Sequence, residues 1–189
     1  MKNNFIYSIF IVFLLFNISL SQKKEYTLTN QQKKIIKQAQ SMEASGLMDE
    51  AINIYINLLN DFPYIDEAFN SLKKIYIINN NIQDLVGVSD KYITAHKFDP
   101  EKIINVFEIY LLSNTKKSDE VIGGILNNKK PNLQFSAKII SILLNYQKTP
   151  KAQKIVEHIR NNTKNKNFYS LQLGMYYSLQ NDIKNAIKE

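Results

Sequence analysis

The chain has 189 residues, 24 Lys and Arg against 17 Asp and Glu, a net charge of +7 and no cysteine. Without cysteine it can form no disulfide and carry no lipid-bearing cysteine near a signal cleavage site. Arginine occurs once, at Arg160, and the lysines come as scattered pairs. Phosphate-binding surfaces favour guanidinium groups and interleaved aromatic residues, so we expect no nucleic-acid partner. The charge instead suits weak attraction to an anionic membrane surface or to acidic partners.

The first 21 residues have the pattern of a signal peptide. Lys2 supplies a basic start, residues 5–16 are almost wholly apolar, and Ser19 and Ser21 are small residues at the cleavage site. The apolar run is about 12 to 16 residues, whereas a spanning helix needs about 20. This length favours cleavage after Ser21 over an uncleaved membrane anchor. After cleavage we expect no integral membrane span.

A signal peptide at 1–21 implies an exported protein, either periplasmic or associated with the cell envelope, with secretion into the medium as the alternative. Lys, Asn and Ile are frequent, which indicates a biased, bacterial genome. The short signal followed by Gln22 is similar to those of Bacteroidota. A polar leader at 22–30 separates the signal from the first periodic segment.

Ten helices are predicted after the leader. Thr29 and Gln32 form a capping-box pattern ahead of an apolar periodicity, so the first helix should begin near Asn30. Periodicity and turn residues place the helices at 31–44, 48–60, 65–79, 82–95, 100–113, 117–127, 132–146, 150–162, 167–180 and 183–189.

One pattern recurs about every 34 residues. Large side chains stand at Met42, Tyr76, Tyr110, Leu143 and Tyr177. Four residues after each stand, in order, Gly46, Asn80, Asn114, Gln147 and Asn181. Gly and Asn tolerate the left-handed conformation in which helices end, so four of these five positions predict helix C-caps. The chain therefore repeats one helix–turn–helix unit.

These units resemble the tetratricopeptide repeat, a helix pair of about 34 residues. Unit boundaries fall near 32–65, 66–99, 100–132, 133–166 and 167–189, the last unit being incomplete. The first unit matches the family at Ala39, Met42, Gly46, Ala51, Tyr55, Leu58 and Pro63. The fifth matches it at Leu173, Gly174, Tyr177, Asn181 and Ala186. The resemblance implies an all-α fold over 31–189: a helix-turn-helix solenoid with a right-handed superhelix and about four and a half repeats.

Small residues are expected where the two helices of a unit cross closely, because only they fit there. They stand at Ala39, Ala51, Ala152, Gly174 and Ala186. The middle units instead carry Lys73, Phe107, Leu85 and Asp119 at these positions. We therefore expect the middle helix pairs to pack with a different spacing or a shifted register. An irregular helical bundle is the alternative to a regular array.

The sequence contains no phosphate-binding loop, zinc motif or nucleophile elbow, so we expect no catalytic residue, no metal and no cofactor. His96 and His158 fall late in different second helices and are interpreted as surface or helix C-terminal residues rather than ligands. The acids Asp61, Asp66 and Glu67 are interpreted as a solvated loop and helix start.

In the resembled family, outward positions of the first helices line a concave binding groove. Carried over by register, the candidate groove residues are Ile104, Glu108, Leu111, Leu144, Phe168, Leu171 and Met175. The family's clamp for a peptide carboxylate is missing, since Ile36 and Gln40 stand where it needs Lys and Asn. An apolar strip suits an amphipathic helix of a partner or a further helix of the same protein, although several of these side chains could simply pack between units.

We expect a non-enzymatic scaffold that binds a protein or peptide, in envelope assembly or secretion. The alternative is a regulatory or substrate-binding region of a larger enzyme whose catalytic part follows Glu189. The short last helix leaves the face of Tyr177 and Ala186 half covered, which predicts that further C-terminal repeats exist.

Overall fold

The computed structural model describes residues 26–113 and 115–189, and all the regular structure in these two ranges is helical. The helices are α1 (Asn30–Ala44), α2 (Met48–Asp61), α3 (Asp66–Ile78), α4 (Leu85–Ala95), α5 (Pro100–Leu112), α6 (Lys116–Leu126), α7 (Leu133–Asn145), α8 (Thr149–Asn162), α9 (Ser170–Leu179) and α10 (Ile183–Lys188). A short 3-10 turn, Ile82–Asp84, precedes α4. The ten predicted helices are confirmed, with ends that differ by at most three residues.

The predicted signal peptide, the start of the leader and Asn114 lie outside the described residues. Within the described ranges, no helix combines the length and the apolar character that crossing a membrane requires.

Side-chain caps fix several helix starts. The predicted capping box is confirmed: Gln32 N–H donates to Thr29 Oγ1 over 3.2 Å, and Thr29 N–H donates to Gln32 Oε1 over 2.9 Å. Asp99 accepts from the Glu101 amide ahead of Pro100, and Asn132 accepts from the Phe135 amide. These bonds satisfy amides that would otherwise lack a partner at a helix start.

The recurring turns have the predicted left-handed backbone. Positive φ angles are found at Gly46 (76°), Asn80 (53°), Gln147 (56°) and Asn181 (58°). Each turn is closed by an amide that donates back to the recurring large residue: Leu47 to Met42, Asn81 to Tyr76, Thr115 to Tyr110, Lys148 to Leu143 and Asp182 to Tyr177, over 2.8–3.3 Å. This six-residue closure is the Schellman pattern of helix ends. Gln147 adopts the same conformation as the Gly and Asn residues.

The described residues divide into two compact units, an N-terminal unit at 26–117 and a C-terminal unit at 118–189, with the division inside α6. Buried apolar residues form the core of the N-terminal unit: Ile36, Ala39, Ala51, Tyr55, Phe69, Leu72, Tyr76, Tyr92 and Tyr110. The C-terminal unit buries Ile139, Ile140, Leu143, Ala152, Ile155, Leu173 and Tyr177. Burial of such apolar surface is the main stabilising contribution in each unit.

Helix pairing within the units follows the small residues. Ala39 and Ala51 are both fully buried in the closely paired helices α1 and α2. A Cβ built on Gly174 would lie 3.6 Å from the Ala186 carbonyl oxygen, so α9 and α10 approach closely there. Pro63 lies half-buried in the turn between α2 and α3.

The second helix pair behaves differently. Helix α3 carries Lys73 and helix α4 carries Leu85 at the positions predicted to be small. Here α4 packs more closely against α5 than against its own partner α3. The expected change in spacing or register of the middle pairs stays a prediction.

Candidate functional site

The predicted groove positions of the N-terminal unit do not form an open apolar surface. Leu111 is buried and Ile104 is half-buried. Glu108 Oε2 lies 2.9 Å from Lys73 Nζ, and this ion pair joins α5 to α3. The only charged residue among the predicted groove positions is therefore already paired within the chain.

Further polar bonds connect the first helices of the N-terminal unit. Gln40 donates to Glu67 over 2.9 Å, which joins α1 to α3. Asn105 donates to Asn70 over 2.8 Å, and Lys73 donates to the Asn105 carbonyl over 2.8 Å, which join α3 to α5. We call this set the polar ladder: Gln40, Glu67, Asn70, Lys73, Asn105 and Glu108. These bonds join the three helices through side chains that lie on α1, α3 and α5.

In the C-terminal unit, Leu144 and Phe168 are buried, at 7% and 8% exposure. The prediction that Phe168 lies on the same helix as Leu171 and Met175 is wrong, because that helix, α9, begins only at Ser170. Tyr169 has a left-handed φ of 65° and breaks the helix there. Arg160 donates to the Phe168 carbonyl over 3.0 Å and to Ser170 Oγ over 2.8 Å, which fixes the turn.

Leu171 and Met175 are exposed, at 73% and 59%. Three more exposed aliphatic residues, not expected from the sequence, lie close by in the chain: Leu179, Ile183 and Ile187, at 81%, 58% and 81%. Their spacing in the sequence could have revealed them, because Leu171, Met175 and Leu179 are spaced four apart on α9, and Ile183 and Ile187 are spaced four apart on α10. We call these five residues the C-terminal apolar face.

The five side chains share one side of the α9–α10 hairpin. The two helices touch at Gly174 and Ala186. Leu171 and Met175 stand three residues before and one after Gly174, and Ile183 and Ile187 stand at the same offsets from Ala186. In two helices that pack antiparallel, equal offsets from the point of contact place side chains on the same side of the pair. The other side carries the buried Leu173 and Tyr177.

The edges of the C-terminal apolar face differ in charge. Lys184 and Lys188 are exposed on α10, two residues either side of Ala186, on the flank turned away from α9. The opposite edge, on α9, carries the exposed, uncharged Gln172, two residues before Gly174. One long edge of the face is therefore basic and the other is neutral.

The acids of this hairpin are engaged within the chain. Glu189 Oε2 lies 2.5 Å from Arg160 Nη2, and Asp182 accepts bonds from the amide and the side chain of Asn185 over 3.2 Å and 2.7 Å. The C-terminal unit holds eleven Lys and Arg against five Asp and Glu, a charge of +6, whereas residues 26–117 hold ten against eleven. The excess positive charge of the described chain is thus concentrated in the unit that carries the apolar face.

A second polar cluster lies in the N-terminal unit around Asp66, at the start of α3. Its carboxylate accepts a 2.7 Å bond from Tyr92 Oη and a bond from Lys102 Nζ. His96 Nε2 lies 3.3 Å from Asp66 Oδ1 without a hydrogen bond between them. The Tyr92 ring stacks on Phe69 at 3.9 Å.

His96 and Asp66 lie where the sequence placed them, at a helix C-terminus and in a first helical turn. His96 caps the C-terminal end of α4, as predicted, but its side chain is only 10% exposed and is no surface residue. Asp61, Asp66 and Glu67 are exposed and the last two lie in the first turn of α3, as predicted; Asp66 is in addition ion-paired with Lys102. The leader contributes as well: Tyr26 stacks on Tyr64 at 4.2 Å and meets the His96 ring edge-on.

Burial and charge perturb these groups in a consistent way. Burial lowers the pKa of His96, with Lys102 acting in the same direction and Asp66 opposing. Burial alone would raise the pKa of Asp66, but the bonds from Lys102 and Tyr92 outweigh it, so that pKa lies below its ordinary value. Burial, followed by the bond to Asp66, raises the pKa of Tyr92. These shifts favour the charged form of Asp66 and the uncharged forms of His96 and Tyr92.

The Asp66 cluster connects three helices and the leader, since Asp66 belongs to α3, Tyr92 to α4 and Lys102 to α5. All of its strong bonds are internal, which assigns it to the packing of the N-terminal unit. Tyr55 shows the same behaviour: it donates to Glu43 over 2.5 Å, and burial raises its pKa to about 12.

Comparison with protein-family models, with curated proteins and with solved structures gives no match. Within 26–113 and 115–189, no group of three or more His, Cys, Asp or Glu side chains is placed to hold a metal ion.

Proposed function

We propose that this chain is a non-enzymatic interaction scaffold of the tetratricopeptide type, exported to the bacterial envelope, that binds a protein partner through the C-terminal apolar face. The observation that carries the proposal is the exposure of five large aliphatic side chains on one side of a single hairpin. Contiguous exposed apolar surface on a folded domain usually marks an interaction site.

The internal bonding of the other polar surfaces supports this choice. The polar ladder and the Asp66 cluster have their bonds within the N-terminal unit. The five residues of the C-terminal apolar face, in contrast, are 58–81% exposed. Burying them against another protein would remove apolar surface from water at little cost in lost polar contacts.

Photocrosslinking in intact cells tests the proposal. A crosslinking amino acid replaces Met175 or Leu179 in the full chain, and Ile78, exposed to a similar degree in the N-terminal unit, serves as the control position. We expect one discrete adduct from the two C-terminal positions and none from the control. Absence of an adduct at both positions would contradict the proposal.

Substitution of the same face separates recognition from folding. Leu171→Asp should abolish the adduct while circular dichroism retains nearly all of the helicity, because the side chain is exposed. Leu143→Asp is the matched control: it places a charge at a fully buried position of the same unit and should unfold it. Loss of helicity in the Leu171 variant would show that the face is internal core.

Export is tested separately. Sequencing of protein from the envelope fraction should give a mature N-terminus at Gln22, because the segment before it has the order of a cleaved signal. An intact Met1 would contradict the proposed export without bearing on the proposed binding face.

A further inference from the structure

The C-terminal apolar face has the geometry of a docking site for an α-helix. Leu171, Met175 and Leu179 form a ridge of residues spaced four apart on α9, and Ile183 and Ile187 continue the apolar surface onto α10. Ridges of this spacing pack into the grooves of another α-helix. Two such stripes side by side match the recurrent binding mode in which one helix lies in an apolar groove.

The charges around the face restrict what the helix can carry. Lys184 and Lys188 follow one edge, the opposite edge is neutral, and the acids of the hairpin, Asp182 and Glu189, are engaged internally. We propose that the occupant is an amphipathic helix whose acidic residues run along the flank that meets Lys184 and Lys188. This inference rests on the proposed function and names the chemistry of its partner.

Charge also argues against two other occupants. A second copy of the chain would bring together two units of charge +6, each with the same two lysines at the seam, and like charges disfavour that contact. An anionic bilayer is broad compared with the face and would be matched by lysines on both edges, whereas the α9 edge carries the uncharged Gln172. A one-sided line of positive charge fits a linear partner.

Three synthetic helical peptides of about five turns serve as probes. All three carry a fluorescent label. The first has a leucine stripe with Glu along one flank, and the second has the same leucine stripe with Lys along that flank. The third keeps the Glu flank but has glutamine in place of leucine. Binding to the full mature chain is measured by fluorescence anisotropy. The Glu-flanked peptide should bind about tenfold more tightly than the Lys-flanked peptide, because charges at an interface select the partner. The glutamine peptide should not bind.

Charge reversal in the protein makes the test specific. With Lys184→Glu and Lys188→Glu together, the preference should invert towards the Lys-flanked peptide. Lys33→Glu with Lys37→Glu is the matched control, an exposed pair of equal spacing on α1, and it should leave the preference unchanged. Equal affinities for both charged peptides would overturn the inference that the partner helix is acidic, while the proposed binding through the apolar face would still stand.

Two further outcomes would overturn the inference in distinguishable ways. Concentration-dependent dimerisation in sedimentation, lost in Leu171→Asp, would assign the face to a second copy. Binding to vesicles of phosphatidylcholine and phosphatidylglycerol, with no affinity for any peptide, would assign it to a membrane. Failure of the proposed function itself would show separately, as the absence of any protein crosslink at Met175 and Leu179.

Discussion

Equivalent positions of the repeat carry opposite chemistry in the two units. In the repeat register, Asn70 corresponds to Leu171, and both Gln40 and Glu108 correspond to Met175. In the N-terminal unit these residues bond across neighbouring helices, in the polar ladder. In the C-terminal unit they are exposed aliphatic side chains. The comparison teaches that one helical framework can either satisfy a face internally or leave it available, depending on a few side chains.

The largest expected effect concerns the packing of the N-terminal unit. Ala51→Leu should lower its free energy of unfolding by about 1–3 kcal/mol, because the added methylenes overpack a fully buried site between α1 and α2. Chemical denaturation followed by circular dichroism measures the change. Ala44→Leu, at an exposed position of α1, is the control and should have little effect. A loss below about 0.5 kcal/mol for Ala51→Leu would mean that the repeat register is wrong.

A smaller effect contrasts a tyrosine from each unit. Tyr92→Phe removes a bond to an ionised carboxylate and should cost about 1–2 kcal/mol, whereas Tyr177→Phe removes a neutral bond from Gln153 and should cost about 0.5–1 kcal/mol. The same denaturation experiment measures both variants. Equal costs would indicate that the Asp66 cluster adds nothing beyond an ordinary hydrogen bond.

The smallest effect is a dependence on pH that belongs to the N-terminal unit. Because burial lowers the pKa of His96 in the folded chain, the unfolded chain binds its proton first, so stability falls as pH drops below about 6.5 and levels off below the folded pKa. Asp66 has a lowered pKa too, so its contribution is present above its ordinary value and is lost on further acidification.

Two variants distinguish the contributions of His96 and Asp66 when the midpoint of urea denaturation is followed as a function of pH. His96→Gln should flatten the first decline. Asp66→Asn should remove the second and, because Asp66 opposes the lowering of the His96 pKa, should deepen the first. Asp99 and Lys102 also act on His96, in opposite directions, which is why the effect is expected to be small. An unchanged first decline in His96→Gln would assign it to other groups.

Helix positions could be predicted from sequence because their causes are local. The capping box at Thr29 and Gln32 lies within four residues, and each left-handed turn is closed within six. Even Gln147 follows the pattern, although its residue type does not favour it, because the recurring spacing gives its turn the same closure. Local bonds of this kind are visible in a single sequence.

The site was less predictable because exposure is a tertiary property. Leu144 and Leu171 are both leucines at predicted groove positions, yet Leu144 is buried and Leu171 is exposed. The start of α9 was misplaced because Arg160 holds the turn at Phe168 from eight residues away. The Asp66 cluster joins residues 26 and 36 positions apart, a separation at which spacing carries no signal.

The six-residue turn closures bear on how the chain reaches its fold. Because α1 pairs with α2, α7 with α8 and α9 with α10, much of the helix packing joins neighbours in sequence, and little chain entropy is lost in bringing them together. Proteins built from such short-range contacts fold quickly. Each hairpin can therefore assemble as soon as its own residues are free to do so, without waiting for a distant part of the chain.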